Sequence, residues 1–212
     1  MNSKYTLNAD YLERTRQVFT TAIQNHPRLA VFRVDLRFPA DGMGRNDECV
    51  ISRFFDSLKY HMASLFNAKR QAGINCDHPT SLRYIWCREY GQQNANRHYH
   101  VVLLVNKDTF HRLGNFAPHE KGPLPSLANL IQKAWCSALS LSWLKYASLA
   151  SFPPGQPLWI DRNSSDYLTQ YEEAFKRALY LCKEVTKQYG NGRSFGCSQD
   201  VPSVIGSRRK RL

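Results

Sequence analysis

The sequence contains, at residues 97–105, the stretch Arg-His-Tyr-His-Val-Val-Leu-Leu-Val, in which two histidines lead into an unbroken apolar run. Such runs, when they are rich in β-branched residues, are typical of a buried strand. Because strand side chains alternate between two faces, His98 and His100 point the same way, and Tyr99 points the other way. Two such histidines are either a pair of metal ligands or ordinary core and edge residues, so the choice depends on the rest of the chain.

Strands and helices are predicted on both sides of this histidine strand. In chain order they are a strand (29–36), a helix (from 46 or 47 to about 70), a strand (82–89), the histidine strand, a helix capped by Ser126, a short strand (158–160) and a last helix (from 163 or 164 to about 187). The first six elements follow the order β-α-β-β-α-β, the split arrangement of ferredoxin-like and RRM-like sheets. The sequence therefore predicts an α+β fold with a central antiparallel sheet and a C-terminal helix that carries a tyrosine.

The length of 212 residues suits one domain with a substantial core. We expect an N-terminal arm or short helix at residues 1–28, the folded domain at 29–188, and a flexible basic tail at 189–212 that ends in Arg208–Arg211. The tail is either a DNA contact or a solvated run of charge.

The net charge of +12, with an isoelectric point near 9.6, favours a polyanionic partner. Nucleic acid is the leading candidate, because no segment shows the basic amphipathic helix that binding to an anionic membrane would need. No apolar run reaches about eighteen residues, and the N-terminus lacks the apolar core of a signal peptide, so we expect a cytoplasmic protein with no membrane association. The six scattered cysteines include no C-x-x-C pair and are expected to be reduced thiols.

Glu89 ends the strand that precedes the histidine strand, with a polar loop between them. If the two strands form a hairpin, this carboxylate lies across from the two imidazoles and completes a three-ligand site for a divalent ion. The alternative is a solvated charge at a strand end.

Tyr180 is predicted to lie away from the apolar stripe of the last helix. At about 100° per residue it falls roughly 150° from the middle of that stripe, on the side of Lys176, Lys183 and Lys187. An exposed phenol among ammonium groups favours the phenolate, which is the form that attacks a phosphodiester. The alternative is an ordinary solvated helix face.

Together these features resemble the HUH endonucleases, which include the rolling-circle replication initiators of plasmids and single-stranded DNA phages. The resemblance rests on His98-Tyr99-His100, the preceding acid Glu89, and the downstream Tyr-x-x-Lys motif at 180–183. Over roughly residues 27–200 the chain is more closely similar to the group of prophage YagK/YfjJ and inovirus (filamentous phage) replication proteins.

The resemblance implies a ferredoxin-like nuclease that binds Mg²⁺ or Mn²⁺ and forms a transient 5′-phosphotyrosine link to a nicked DNA strand. It makes His98, His100 and Glu89 the metal ligands, Tyr180 the nucleophile, and Lys183 a group that positions the phosphate. The residues expected to contact DNA are Arg33, Asp35, Arg37, Lys176 and Lys187.

Two departures from some members of the superfamily shape the expected mechanism. Only Tyr180 fits the nucleophile position, because Tyr171 is predicted on the opposite side of the helix, so a single catalytic tyrosine is expected. No G-x-x-x-x-G-K-[ST] motif is present, so a host helicase would supply the unwinding.

The expected function is initiation of replication of a phage or prophage element on single-stranded or origin DNA. The alternative is a non-catalytic prophage DNA-binding regulator on the same fold. An RRM-type RNA binder is disfavoured because its aromatic signature is absent.

Overall fold

The computed structural model describes residues 6–91, 96–118, 124–183, 192–199 and 204–205. The helices are α1 (Ala9–Asn25), α2 (Val50–Gln71), α3 (Leu127–Leu139), α4 (Trp143–Tyr146) and α5 (Tyr167–Ala178), with 3-10 turns at Ala147–Leu149 and Leu179–Cys182. The strands are β1 (Arg28–Arg37), β2 (Thr80–Ser81), β3 (Arg83–Tyr90), β4 (Arg97–Asn106), β5 (Ala150–Ser151), β6 (Leu158–Asp161), β7 (Phe195–Cys197) and β8 (Val204–Ile205). None of the described helices combines the length and hydropathy that a bilayer crossing requires.

The central sheet has six antiparallel strands in the order β5-β1-β4-β3-β7, with β6 also paired to β1. Its four core strands therefore lie in the order β6-β1-β4-β3, which is the order of a split β-α-β-β-α-β arrangement. The predicted α+β class with a central antiparallel sheet is confirmed.

The two faces of the sheet carry separate cores. Phe32, Val34 and Leu36 of β1 pack in the core formed with α2 and α3. Leu29 and Val31 of the same strand pack in the core formed with α1 and α5. This separation follows from the alternation of strand side chains, and the same alternation puts Arg33 and Asp35 of β1 on the face of the second core.

The α2 and α3 helices form where the apolar periodicity predicts them. Ser126 caps α3 in a capping box, in which its hydroxyl accepts from the Asn129 backbone N–H and the Asn129 side chain accepts from the Ser126 backbone N–H. Trp135 of α3 is fully buried and donates from Nε1 to the carbonyl of Arg37 at 2.7 Å. This bond ties α3 to the end of β1 that lies nearest the histidines.

A helix near the start of the chain packs on the sheet, and a strand near its end pairs with the sheet. Val18, Phe19 and Ala22 of α1 are buried in the second core. Within the range predicted as a flexible tail, β7 pairs with β3 and brings Gly196 against Trp86. A Cβ at position 196 would lie 2.6 Å from the Trp86 ring, so only glycine fits there. The basic run at 208–211 lies outside the described residues.

The last helix is shorter than predicted. The α5 helix ends at Ala178, the chain continues as a 3-10 turn over Leu179–Cys182, and Lys183 is extended. Leu181 and Cys182 are buried in the second core, and the Asn8 backbone N–H donates to the Cys182 carbonyl at 2.9 Å. Tyr180 therefore lies in a 3-10 turn that packs against the N-terminal segment, and the expectation of a tyrosine on a continuing α-helix was wrong.

Candidate active site

The hairpin of β3 and β4 brings a carboxylate and two imidazoles together. Glu89 is directly opposite His98 in the antiparallel register, and His100 is two residues further along β4 on the same face. Glu89 Oε2 lies 3.2 Å from His100 Nε2 and 3.9 Å from His98 Nε2. Glu89 and His100 are buried and His98 is half-buried, so the cluster has one open side.

The cluster is close to the dimensions of a metal site. Its three candidate ligand atoms lie within 4.8 Å of one another. Two atoms that bind one ion at about 2.1 Å lie at most about 4.2 Å apart, so a small rotation of the more exposed imidazole closes the site. Two imidazole nitrogens with one carboxylate oxygen suit Mn²⁺ better than Mg²⁺, because Mg²⁺ prefers oxygen ligands.

His98 is oriented for coordination by its own backbone neighbourhood. Its Nδ1 lies 3.3 Å from the carbonyl oxygen of Asn96, which accepts the ring proton and leaves the Nε2 lone pair toward Glu89. Burial lowers the pKa of His98, which favours the neutral, ligating form.

His100 is held by a carboxylate that the sequence analysis assigned to DNA. Asp35 of β1 is paired with His100 across the sheet, and its Oδ1 accepts from His100 Nδ1 at 2.6 Å. Burial opposes ionisation of Asp35, but the hydrogen bond from His100 and the charge of Arg33 outweigh it and lower its pKa. An acid behind a ligand imidazole fixes the ring and raises its basicity. The sequence contains no direct signal for this contact, because it depends on the register between β1 and β4.

The structure predicts that Asp35→Asn weakens divalent metal binding by about 10- to 100-fold, because the acceptor of His100 loses its charge. Titration with Mn²⁺ followed by calorimetry measures the change. Asp166→Asn, which makes the same substitution at an exposed position beside α5, is the matched control and should bind Mn²⁺ like the wild type. Equal affinities for Asp35→Asn and Asp166→Asn would contradict the assigned role of Asp35.

Metal binding is also expected to depend on pH through His100. Burial lowers the pKa of His100, but hydrogen bonds to Asp35 and Glu89 outweigh burial and raise it above its ordinary value in the metal-free protein. A metal ion must displace the proton on Nε2, so affinity should rise with pH and fall about tenfold per pH unit below that pKa. Calorimetric Mn²⁺ titrations across pH check the slope, and an affinity that is constant between pH 5 and pH 8 would contradict it.

The Tyr180 ring lies beside the cluster. Its centroid is 5.4 Å from that of His100 in an edge-to-face contact, the Arg33 guanidinium carbon is 4.7 Å from the centroid, and Lys183 Nζ is 4.0 Å from it. The prediction that the Tyr180 phenol is exposed was wrong, since Tyr180 is half-buried. Burial and the negative charge of Glu89 raise its pKa, so the metal-free site disfavours the phenolate.

The remaining residues predicted to contact DNA divide into three groups. Arg33 belongs to the site itself, because its guanidinium lies 3.2 Å from His100 Nδ1 and 3.3 Å from Asp35 Oδ1. Arg37 and Lys176 are exposed, at the end of β1 and on α5. Lys187 lies outside the described residues.

Two side chains at the site were not predicted to be site residues. The Gln156 side-chain oxygen accepts from the Arg33 backbone N–H at 2.6 Å. The buried Cys87 thiol lies 3.8 Å from Glu89 Oε1. Cys87 lies two residues before Glu89 on β3, a spacing that puts both side chains on one face, but no pattern in the sequence indicates that Gln156 reaches β1.

Comparison with known proteins gives a family match over nearly the whole chain. Residues 1–198 match the YagK/YfjJ C-terminal domain family. The chain is 33% identical to the uncharacterized protein YfjJ of Escherichia coli K12, over 89% of this chain and 93% of that protein. It is 31% identical to the uncharacterized protein YagK of the same strain, over 90% and 92% of the two chains.

Among solved structures, the chain is similar to the N-terminal nuclease domain of non-structural protein 1 of minute virus of mice. The TM-score is 0.27 at 13% identity, over 94% of this chain and 80% of that one. A likeness of this size carries no inference about this chain.

Proposed function

The chain belongs to the YagK/YfjJ C-terminal domain family, and for this member we propose metal-dependent, site-specific nicking and joining of single-stranded DNA through a 5′-phosphotyrosine intermediate. This is the activity of the HUH endonucleases that the motifs resemble. It assigns Glu89, His98 and His100 as metal ligands and Tyr180 as the nucleophile.

The observation that carries the proposal is the contact between the Tyr180 ring and His100, one of three side chains close to the dimensions of a metal site. Tyr180 is distant in the sequence from Glu89, His98 and His100, and nothing in the packing of a hydrophobic core requires it to meet them. A nucleophile beside a metal site is the arrangement that phosphodiester cleavage needs.

The proposed step forms one bond and breaks one. The Tyr180 oxygen attacks the scissile phosphorus, the bond from phosphorus to the 3′ oxygen breaks, and one proton passes in net from the phenol to that 3′ oxygen. A divalent cation at the site would polarise the phosphate and offset the charge of Glu89 that disfavours the phenolate. Attack of a 3′ hydroxyl on the phosphotyrosine reverses the step and joins the strand.

Two cations at Tyr180 are placed to hold the phosphate. Arg33 and Lys183 both lie against its ring, and each presents N–H donors that match phosphate oxygens. The half-buried setting strengthens these charge interactions relative to bulk water. The net charge of +12 extends the attraction for DNA beyond the site.

In the cell, we infer that the nick begins replication of a phage or prophage element at its origin. The metal in that setting is Mg²⁺ or Mn²⁺, and the donor set favours Mn²⁺. A host helicase would separate the strands.

The test is an adduct assay with single-stranded oligonucleotides tiled across hairpin-forming sequences that flank the gene. Each oligonucleotide is labelled at its 5′ end in one reaction and at its 3′ end in another, and Mn²⁺ is present or chelated. A 5′-phosphotyrosine link retains the 3′ label on the protein in a denaturing gel and releases a shorter 5′-labelled product.

A metal-loaded chain that binds these oligonucleotides and forms neither product would refute the nicking function. Binding without cleavage is what the non-catalytic regulator predicts. Retention of the 5′ label instead of the 3′ label would refute the polarity of the proposed link.

A further inference from the structure

The edge of the sheet beside β1 carries a groove of about 470 Å³ that the proposed catalysis does not use. Its lining includes Arg112, Phe116, Gln156, Pro157 and Trp159. It lies at the open edge of β1, where β5 pairs only with Asp35–Leu36 and β6 only with Arg28–Val31.

Two large aromatic rings are exposed in the groove. Trp159 is 42% exposed and Phe116 is 49% exposed, although both residue types are normally buried in a monomer. The Trp159 ring is held in place because its Nε1 donates to the carbonyl of His111 at 3.2 Å. Phe116 is supported by Phe152, with ring centroids 5.3 Å apart. Both rings are therefore presented to solvent by contacts that restrict their motion.

Positive charge accompanies these rings. Lys107 Nζ lies 4.5 Å from the centroid of the Trp159 ring, and the exposed Arg112 lines the groove. The two nearby carboxylates, Asp108 and Asp161, are both in ion pairs with Arg28. Exposed aromatic rings with cations beside them are the combination by which proteins bind single strands, with bases on the rings and phosphates at the cations.

The groove borders the candidate active site across the edge of β1. Gln156 forms part of its lining and accepts from the backbone of Arg33, whose guanidinium lies against Tyr180. Trp159 pairs with Ala30, which is three residues, or about 10 Å, from Arg33 along β1. Trp159 follows Ala30 onto the face of the sheet opposite Tyr180, so a strand held at Tyr180 would pass around the open edge of β1 to reach it.

We propose that this groove binds unpaired bases of single-stranded DNA, with Trp159 and Phe116 as stacking platforms and Lys107 and Arg112 at the phosphates. The inference rests on the proposed function, since the groove would bind the part of the DNA strand that extends from the scissile phosphate.

The test measures DNA binding separately from cleavage. Fluorescence anisotropy of a labelled oligothymidylate is recorded with the full chain carrying Tyr180→Phe, in which no covalent link forms. Adding Trp159→Ala should weaken binding about 5- to 150-fold, the loss expected for one stacked base. Trp159→Phe should recover most of the affinity, and Tyr60→Ala, which removes an aromatic ring that is 69% exposed on α2, should change it less than twofold.

Two further measurements distinguish stacking from loss of charge or of fold. Trp159→Ala should leave the salt dependence of binding unchanged, whereas Arg112→Ala should reduce its log–log slope by about 0.7. Oligothymidylate should also quench part of the tryptophan fluorescence, and this quenching should be lost in Trp159→Phe.

If Trp159→Ala bound oligothymidylate as tightly as the parent chain, the proposed role of the groove would be refuted. An equal loss of affinity for a duplex of the same length would also refute it. Tighter binding of a matched oligouridylate would overturn the assignment to DNA. The adduct assay on the wild type reports on the nuclease alone. If the wild type cleaves DNA but DNA affinity does not depend on Trp159, only the proposed role of the groove is refuted. If DNA affinity depends on Trp159 but the wild type does not cleave DNA, only the proposed nuclease activity is refuted.

Discussion

Replacing Tyr180 with phenylalanine is expected to abolish the covalent DNA adduct and reduce nicking by at least about 10³-fold. Loss of a nucleophile typically has effects of this size or larger. The substitution removes only the hydroxyl, so the ring keeps its contacts with His100, Arg33 and Lys183. DNA affinity should therefore change little, and the adduct gel and an anisotropy titration together measure both quantities.

Tyr171→Phe is the matched control for this experiment. Tyr171 lies on the same helical segment, but its ring packs against Phe19 and Phe175 in the second core, and burial raises its pKa. Its removal should leave adduct formation within about twofold of the wild type. If the adduct survived in Tyr180→Phe and disappeared in Tyr171→Phe, the nucleophile would be Tyr171, which packs in the second core. That result would refute the mechanism.

Removing a metal ligand is expected to have the second large effect. His98→Ala and His100→Ala should each weaken Mn²⁺ binding by at least about 100-fold, because losing one of three ligands costs no less than losing the group behind a ligand. Calorimetric titration of each variant with Mn²⁺ measures this loss directly. His78→Ala, which removes an exposed imidazole elsewhere in the chain, should bind Mn²⁺ like the wild type.

Loss of metal binding can also be measured as a loss of thermal stabilisation by Mn²⁺. Metal at 100 times its dissociation constant stabilises the folded chain by about 2.7 kcal/mol, which corresponds to roughly 5 to 11 °C in Tm for a chain of this size. At the same metal concentration this increase should fall to about 0.4 kcal/mol or less in His98→Ala and should be unchanged in His78→Ala. An increase in Tm that is the same in all variants would place the ion elsewhere on the protein.

The assignment of Glu89 illustrates what could be predicted from local sequence. A strand that ends in an acid, a short polar loop and a strand that begins with two histidines bring these groups to one end of one face, provided that the strands form a hairpin. The structure has that hairpin and brings the three ligand atoms within 4.8 Å of one another. Pairing between neighbouring strands is a local property, so the meeting of these three candidate ligands was predictable.

Asp35 and Tyr180 illustrate what local patterns do not reveal. Asp35 was assigned to DNA through the resemblance to the HUH endonucleases, and only the register between β1 and β4 places it on His100. Tyr180 was predicted exposed because a continuing helix was assumed. Burial of Leu181 and Cys182 against the N-terminal segment ends that helix and brings the phenol onto the sheet.

The sequence by itself therefore determined the class of fold, the order of the core elements and the three candidate metal ligands, because hydrophobic periodicity and short loops are readable from neighbouring residues. Only the tertiary structure decided the support of His100 by Asp35, the half-buried position of Tyr180 beside Arg33 and Lys183, and the aromatic groove at the edge of β1. Each of these depends on segments that are distant in sequence and meet only when the two cores close on opposite faces of the sheet.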